Sequence, residues 1–440
     1  MGKATLSTFF STILLLGLML TACSSDDSTP EPPTQEANRT YFLTVNASKW
    51  MDTRALNDNG NKLDATWAIE EKIYVGDGNN WYDGFLQPTD GGKIETSLQG
   101  TITVPASAGE IQNLTFLFPS KEMDYTGQVG TLEDIAEKYD YAEATANGVY
   151  TDGDKIEVHS AVKFYEQQAI VKFTLQYSDA NTKTSSLRIS ATNLKSSGDN
   201  TGDITINPTT ATNEVFAALS GIDDAQVTLT AQANDGKTYI YKKSGVTFTN
   251  GVYKRVTVNM KELTYPKNLT EITDDYIGSV VGSDGTVYRD ASTATAAGTT
   301  AVAMIAYVGN DITDVKGLAI ALADEEGGYM SEDGAKNAIK TKNDNRSDAL
   351  KNSGAEWKLP SVNEWKYMFI GCGNGANISE TTVNYTCFNA KLASTGGNSF
   401  SDGSYYWSDE FINSKFEKST AIPNYGQNLL SCYVRACLAF

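Results

Sequence analysis

The chain has 440 residues, enough at ~150 residues per domain for two or three domains with real buried cores. Lys and Arg number 35 against 54 Asp and Glu, and the net charge of −19 argues against nucleic acid as a partner, since phosphate binding needs clustered basic residues. A single histidine, His159, excludes any multi-His metal site, while 40% hydrophobic residues with 37 glycines and 23 tyrosines describe a soluble, turn-rich β protein, neither polytopic nor disordered.

Lys3 precedes an apolar run, Phe9 to Leu20, that is too short to cross a ~30 Å hydrocarbon core as a mature helix and reads as a signal peptide over residues 1–22. The run ends in Leu20-Thr21-Ala22-Cys23. Small residues before a cysteine are what a lipoprotein signal peptidase requires, so Cys23 is the expected lipidation site, with the lipid as an anchor in the outer membrane. Ser24-Ser25-Asp26-Asp27 and the Pro/Glu/Thr-rich stretch to Asn38 cannot bury apolar area and read as a flexible tether. The acidic pair just after Cys23 resembles the surface-export signal of Bacteroidales lipoproteins.

In the body, Tyr41, Leu43, Val45 and Ala47 alternate with Phe42, Thr44, Asn46 and Ser48, a period-two strand. Leu132 to Tyr141 is a short helix candidate. Ala169, Val171, Phe173, Leu175 and Tyr177 alternate again. Ala225 to Ala231, the turn Asn234-Asp235-Gly236 and Thr238 to Tyr241 read as a hairpin, and Asn250-Gly251 predicts a second one between Val246–Phe248 and Val252–Met260. Repeated strands without alternating helices favour sandwiches over a parallel α/β sheet.

The character changes after Met260, with Tyr265-Pro266 as the boundary. Asp284-Gly285 joins a hairpin, Ser279–Val281 with Thr286–Tyr288. Two helices follow: Gly334 to Lys342, and one after Pro360, where Ser361 and Glu364 make a capping box and Trp365, Met368 and Phe369 share a buried face. Gly371-Cys372-Gly373 ends that helix and is read as a C-cap and loop, not a phosphate cradle. This part is α+β. Its cysteines, Cys372, Cys387, Cys432 and Cys437, are disulfide candidates with three pairings open. No CxxC spacing supports a metal, and none is expected. Asn343 to Asp348, Asp324-Glu325-Glu326 and Asp409-Glu410 read as surface features, and His159 as a structural or surface residue.

Taken together, the strand Thr40 to Lys49, then Thr53-Arg54-Ala55-Leu56, a polar loop, and Trp67 to Val75 resemble the start of a Bacteroidales fimbrillin, the type V pilin family. Ala169 to Phe173 and Tyr253 to Met260 fit that family's closing strands, and the resemblance spans roughly residues 40–262. It implies two consecutive transthyretin-like β-sandwich subdomains. It also implies that the lipidated precursor is cut after an arginine, here Arg54 before Ala55, and that the vacated groove accepts an extended strand from a neighbouring fimbrial subunit. Arg39 lies before the strand, so a cut there would shed the lipid but keep the strand.

Trp357-Lys358-Leu359-Pro360-Ser361, Glu364-Trp365, Tyr405 to Glu410 and Val434 to Cys437 resemble the C-type-lectin-like, formylglycine-generating-enzyme-like fold, over roughly 270–440. Without Glu-Pro-Asn or Gln-Pro-Asp, calcium-mediated sugar binding is not implied. Tyr405, Tyr406, Trp407 and Asp409 are the expected ligand-binding residues, because an exposed aromatic beside a carboxylate suits sugars.

The expected architecture is therefore mainly β: signal peptide 1–22, lipidated tether and removable strand 23–54, β-sandwiches 55–163 and 164–264, and a lectin-like α+β adhesin domain 265–440. The expected function is that of a fimbrial tip subunit with no cofactor and no catalysis. It would bind a neighbouring subunit and a surface glycan or protein, first at the outer membrane and then in the fimbrium. The alternative is an outer-membrane-anchored, uncleaved glycan-binding lipoprotein.

Overall fold

The computed structural model describes residues 37–49, 66–108, 110–147, 149–198, 200–326, 328–373, 386–400, 404–409, 413–417, 420–424 and 432–440, with backbone alone at 150, 386–387, 413–417 and 420–424. The protein is mainly β. Among the described residues no helix is long and apolar enough to cross a membrane.

The first sheet has nine strands: β1 (Arg39–Lys49), β2 (Tyr74–Gly76), β3 (Asp83–Pro88), β4 (Glu95–Val104), β5 (Asn113–Phe118), β6 (Ala142–Asn147), β7 (Tyr150–Asp152), β8 (Lys155–Glu157) and β9 (Val162–Glu166). Their order is β2-β5-β6-β9-β1-β4-β3, with the β7–β8 hairpin laid against β1. The ends of this path meet where Ile73, just before β2, bridges to Leu86 of β3. The sheet thus wraps a core that includes Leu43, Val45, Trp67, Phe116, Phe118 and Phe164. Packing of this kind, and not local propensity, holds such short strands.

After Glu166 the chain enters a sandwich. Three strands, Glu214–Leu219, Ala169–Gln176 and Tyr253–Asn259, face five others led by Thr184–Ala191, Ile222–Ala233 and Thr238–Phe248, over Phe173, Leu175, Leu187 and Leu229. The hairpin expected from Ala225–Ala231 and Thr238–Tyr241 is present, with longer strands, Ile222–Ala233 and Thr238–Phe248. The one expected at Asn250-Gly251 is not: Thr238–Phe248 lies in one sheet, and Tyr253–Asn259 pairs in parallel with Ala169–Gln176 in the other. A turn does form there, but not with the left-handed pair expected of Asn-Gly: Gly251 alone takes φ +76°, and its N–H donates to the Gln168 carbonyl. The turn carries the chain across the sandwich because burial on the opposite face decides which sheet receives the next strand.

Beyond Tyr265, seven strands form one sheet in the order Lys267–Asn268, Thr286–Tyr288, Val280–Gly282, Ala301–Val308, Gly317–Ala321, Cys437–Ala439, Glu356–Lys358. The Asp284-Gly285 hairpin forms as read. Both expected helices are present, as Glu332–Asp344 and Val362–Gly371. In the second, Ser361 Oγ accepts from the Glu364 N–H, and Glu364 Oε2 accepts from the Ser361 N–H at 2.8 Å, closing the capping box. Trp365, Met368 and Phe369 are buried against the sheet, which approaches so closely that a Cβ on Gly371 would collide with the Ala306 carbonyl. Three short helices, Ala291–Ala296, Asp348–Asn352 and Thr386–Ser394, were not foreseen.

Candidate functional site

β1 is an internal strand. It runs antiparallel to β4 from Arg39↔Val104 to Ser48↔Glu95, and parallel on its other edge to β8 (Phe42↔Lys155 to Thr44↔Glu157) and to β9 (Ala47↔Val162 to Lys49↔Phe164). Its side chains alternate strictly: Tyr41, Leu43, Val45, Ala47 and Lys49 are buried, whereas Phe42, Thr44 and Asn46 face outward. At ~4.8 Å between neighbouring strands, loss of β1 would leave a slot of about 10 Å between β4 and the β8/β9 edge. Both walls would carry unpaired backbone donors and acceptors, and the floor is apolar.

One inward residue of β1 is charged. Lys49, 2% exposed, donates from Nζ to Glu71 Oε1 at 2.7 Å, Glu71 Oε2 at 2.8 Å and the Thr66 carbonyl at 2.9 Å. The same nitrogen lies 4.2 Å from the Trp67 ring centroid and 4.9 Å from that of Phe118. Trp67 is held by a backbone pair with residues 92–93, its N–H donating to the Lys93 carbonyl and its carbonyl accepting from Gly92. Its ring packs on Phe118 and Phe164 at 5.8 and 5.3 Å. Sequence reasoning missed this residue, although its parity with Tyr41, Leu43, Val45 and Ala47 was the available signal.

Cys23, Arg54 and Ala55 lie outside the described residues, as does the Cys387 side chain. Arg39 opens β1 at the surface. Cys372, Cys432 and Cys437 are buried thiols. Burial pushes the Cys432 thiol up to about 12, and burial followed by the Glu364 carboxylate pushes Cys437 well above its ordinary range. His159 is exposed, as read.

The expected aromatic ligand face is corrected. Tyr406 and Trp407 are 1% and 5% exposed: Tyr406 packs on Phe400 at 4.8 Å with its hydroxyl donating to Asp324, and Trp407 Nε1 donates to the Met330 carbonyl at 2.8 Å. Only Asp409 stands in solvent, with Tyr405 half-buried. The strand Tyr405–Trp407 is covered on both faces: Tyr406 lies in the Trp365–Phe400 cluster, and Trp407 packs on the other side with Ala335, Leu359, Cys432 and Val434. Asp324 is likewise not a bare surface acid, since it accepts from the buried Arg435 guanidinium at 2.6 Å.

Two surface features went unseen in the sequence. Tyr329, 51% exposed, packs on Tyr433 with ring centroids 4.3 Å apart and the planes tilted by 41°. A cleft of about 1180 Å³ runs between the second sandwich and the last part of the chain, lined by Arg188, Arg289, Lys391, Tyr265 and Tyr307. Its cations are already engaged, Lys391 and Arg188 with Asp203 at 3.3 and 3.7 Å and Arg289 with Asp290 at 2.9 Å.

No family model matches the chain, and no curated protein matches it. Among solved structures it is similar to a fimbrial protein from Bacteroides ovatus (12% identity, TM-score 0.25, 92% of this chain and 100% of that one). It is also similar to a candidate cell adhesion protein from Bacteroides uniformis (14% identity, TM-score 0.31, 50% of this chain and 96% of that one). A second such protein from Bacteroides ovatus gives 12% identity and a TM-score of 0.31 over 52% of this chain and 97% of that one.

Proposed function

We propose that this chain is a non-enzymatic subunit of an adhesive surface fibre, exported as a lipoprotein anchored through Cys23 and assembled by strand replacement. A cut after Arg54 would separate β1 from the body, and a neighbouring subunit would lend a strand to the slot. The observation that carries this reading is the position of β1: the strand before the proposed cut is internal, paired on both edges and buried on one face.

The energetics suit an exchange. Each large inward side chain contributes about 1.5–3 kcal/mol by burial, while ordering costs about 1–2 kcal/mol per backbone residue. Once its covalent link is cut, β1 is held by non-covalent contacts alone, and a strand that restores both ladders and refills the trough can displace it. The strand Cys437–Ala439 is committed on both edges to Gly317–Ala321 and Glu356–Lys358. A strand so placed is part of its own sheet, and we take the part beyond Tyr265 as the adhesive end of a tip subunit.

Mass spectrometry of the surface-shed form tests the proposal. A mature start at Ala55 together with incorporation into a polymer is the expected result. An intact lipidated start at Cys23 with no polymer would overturn it in favour of the anchored glycan binder.

A further inference from the structure

We infer that the slot ends in a binding site for a primary ammonium group, and that the strand replacing β1 is selected for a lysine at that position. This rests on the strand-replacement reading and adds the chemistry by which the incoming strand is recognised.

The groups around Lys49 Nζ include the Glu71 carboxylate, the Thr66 carbonyl and the faces of Trp67 and Phe118. All of them follow the segment 50–65, so a cut within that segment leaves them on the body while Lys49 departs with β1. What remains is a preformed socket: three acceptor atoms and two ring faces at the end of an apolar trench.

The carboxylate, the carbonyl and the ring faces converge on one point, which suits the compact ammonium; a guanidinium spreads its donors over a fixed planar fork and cannot bring them to a single point. A neutral apolar side chain would cover the rings but strand the Glu71 carboxylate, whose side chain is only 19% exposed, beside an unpaired carbonyl. The complementary strand can be read from the present occupant. Inward positions spaced by two carry Tyr41, Leu43 and Val45, then the small Ala47, then a lysine at the Trp67 end.

The test uses the full chain with a specific protease site inserted between residues 51 and 64, cut and exposed to a fluorescent peptide of residues 39–49. The peptide with Lys49 is expected to enter the slot. Peptides with norleucine or arginine in place of Lys49 should bind at least tenfold more weakly (an order-of-magnitude expectation, about tenfold, for breaking a partly buried pair). In a Glu71→Gln body, checked for an unchanged circular dichroism spectrum, the preference for lysine over norleucine should fall to about threefold or less. Equal binding of the lysine and norleucine peptides to the unaltered body would overturn the socket while leaving strand replacement intact. Failure of every peptide to exchange would overturn strand replacement and the socket with it. The peptide arm alters nothing in the protein, so a folding defect in the Glu71→Gln body cannot decide it.

Discussion

Val45 and Phe42 share a strand and face opposite ways, Val45 fully buried and Phe42 42% exposed. Val45→Asp places an unpaired carboxylate in the core and should cost about 4 kcal/mol, whereas Phe42→Asp should stay within about 1 kcal/mol, read from urea midpoints. Asp290 gives a pH signature. Burial pushes its carboxyl up, but hydrogen bonds from Ser292, the Thr293 N–H and Arg289 outweigh that and hold it at about 2. Because the folded value is depressed, this stabilisation is full above the ordinary carboxylate range near 3.8 and is lost as pH falls toward 2. Melting temperatures at pH 4.5 and 2 should therefore differ less in Asp290→Asn than in the parent. At this scale parity was legible and environment was not. The alternation of Tyr41 to Ala47 declared one face buried, but nothing local distinguishes an aromatic displayed to solvent from Tyr406, buried by Phe400 and Trp365, or Trp407, buried by Ala335, Leu359 and Val434, most of them distant in sequence.

The helix Val362–Gly371 was written fully into its first turn. Ser361→Ala removes the cap and should cost about 1 kcal/mol. Glu364→Ala should cost more, because Glu364 Oε1 also accepts from Lys358 Nζ at 2.8 Å, tying the helix to the strand Glu356–Lys358. Denaturant melts of the two variants give the order, and an equal loss would show that the tie to Lys358 contributes nothing. Hairpins at Asn234-Asp235-Gly236 and Asp284-Gly285 were legible because the turn itself dictates the pairing. Asn250-Gly251 has equal turn chemistry, yet its two strands part, since periodicity fixes which face is buried and not which sheet receives the strand. Helices as short as Ala291–Ala296 and Asp348–Asn352 carry too few turns for a periodic pattern. Their start signals, Asp290 and Ser347, were present but had no apolar stripe to follow.

Across the whole molecule, the mainly β character was legible, because alternating strands and turn signals recur along the chain. The closure of the first sheet through Ile73 and Leu86 was not, being a product of packing between remote segments. If the slot accepts a strand and Cys437–Ala439 lends none, immunogold labelling of assembled fibres with antibody to residues 265–440 should mark one end only; label along the shaft would contradict a terminal place.

β1 has neighbours on both flanks, and so would any successor seated in its position. Tension applied along that strand would then act in shear on two ladders at once, loading all the rungs together, because the rungs lie across the pull. An edge strand peeled sideways gives way one rung at a time. A joint of the internal kind should resist the drag of flowing fluid without any covalent link between its parts.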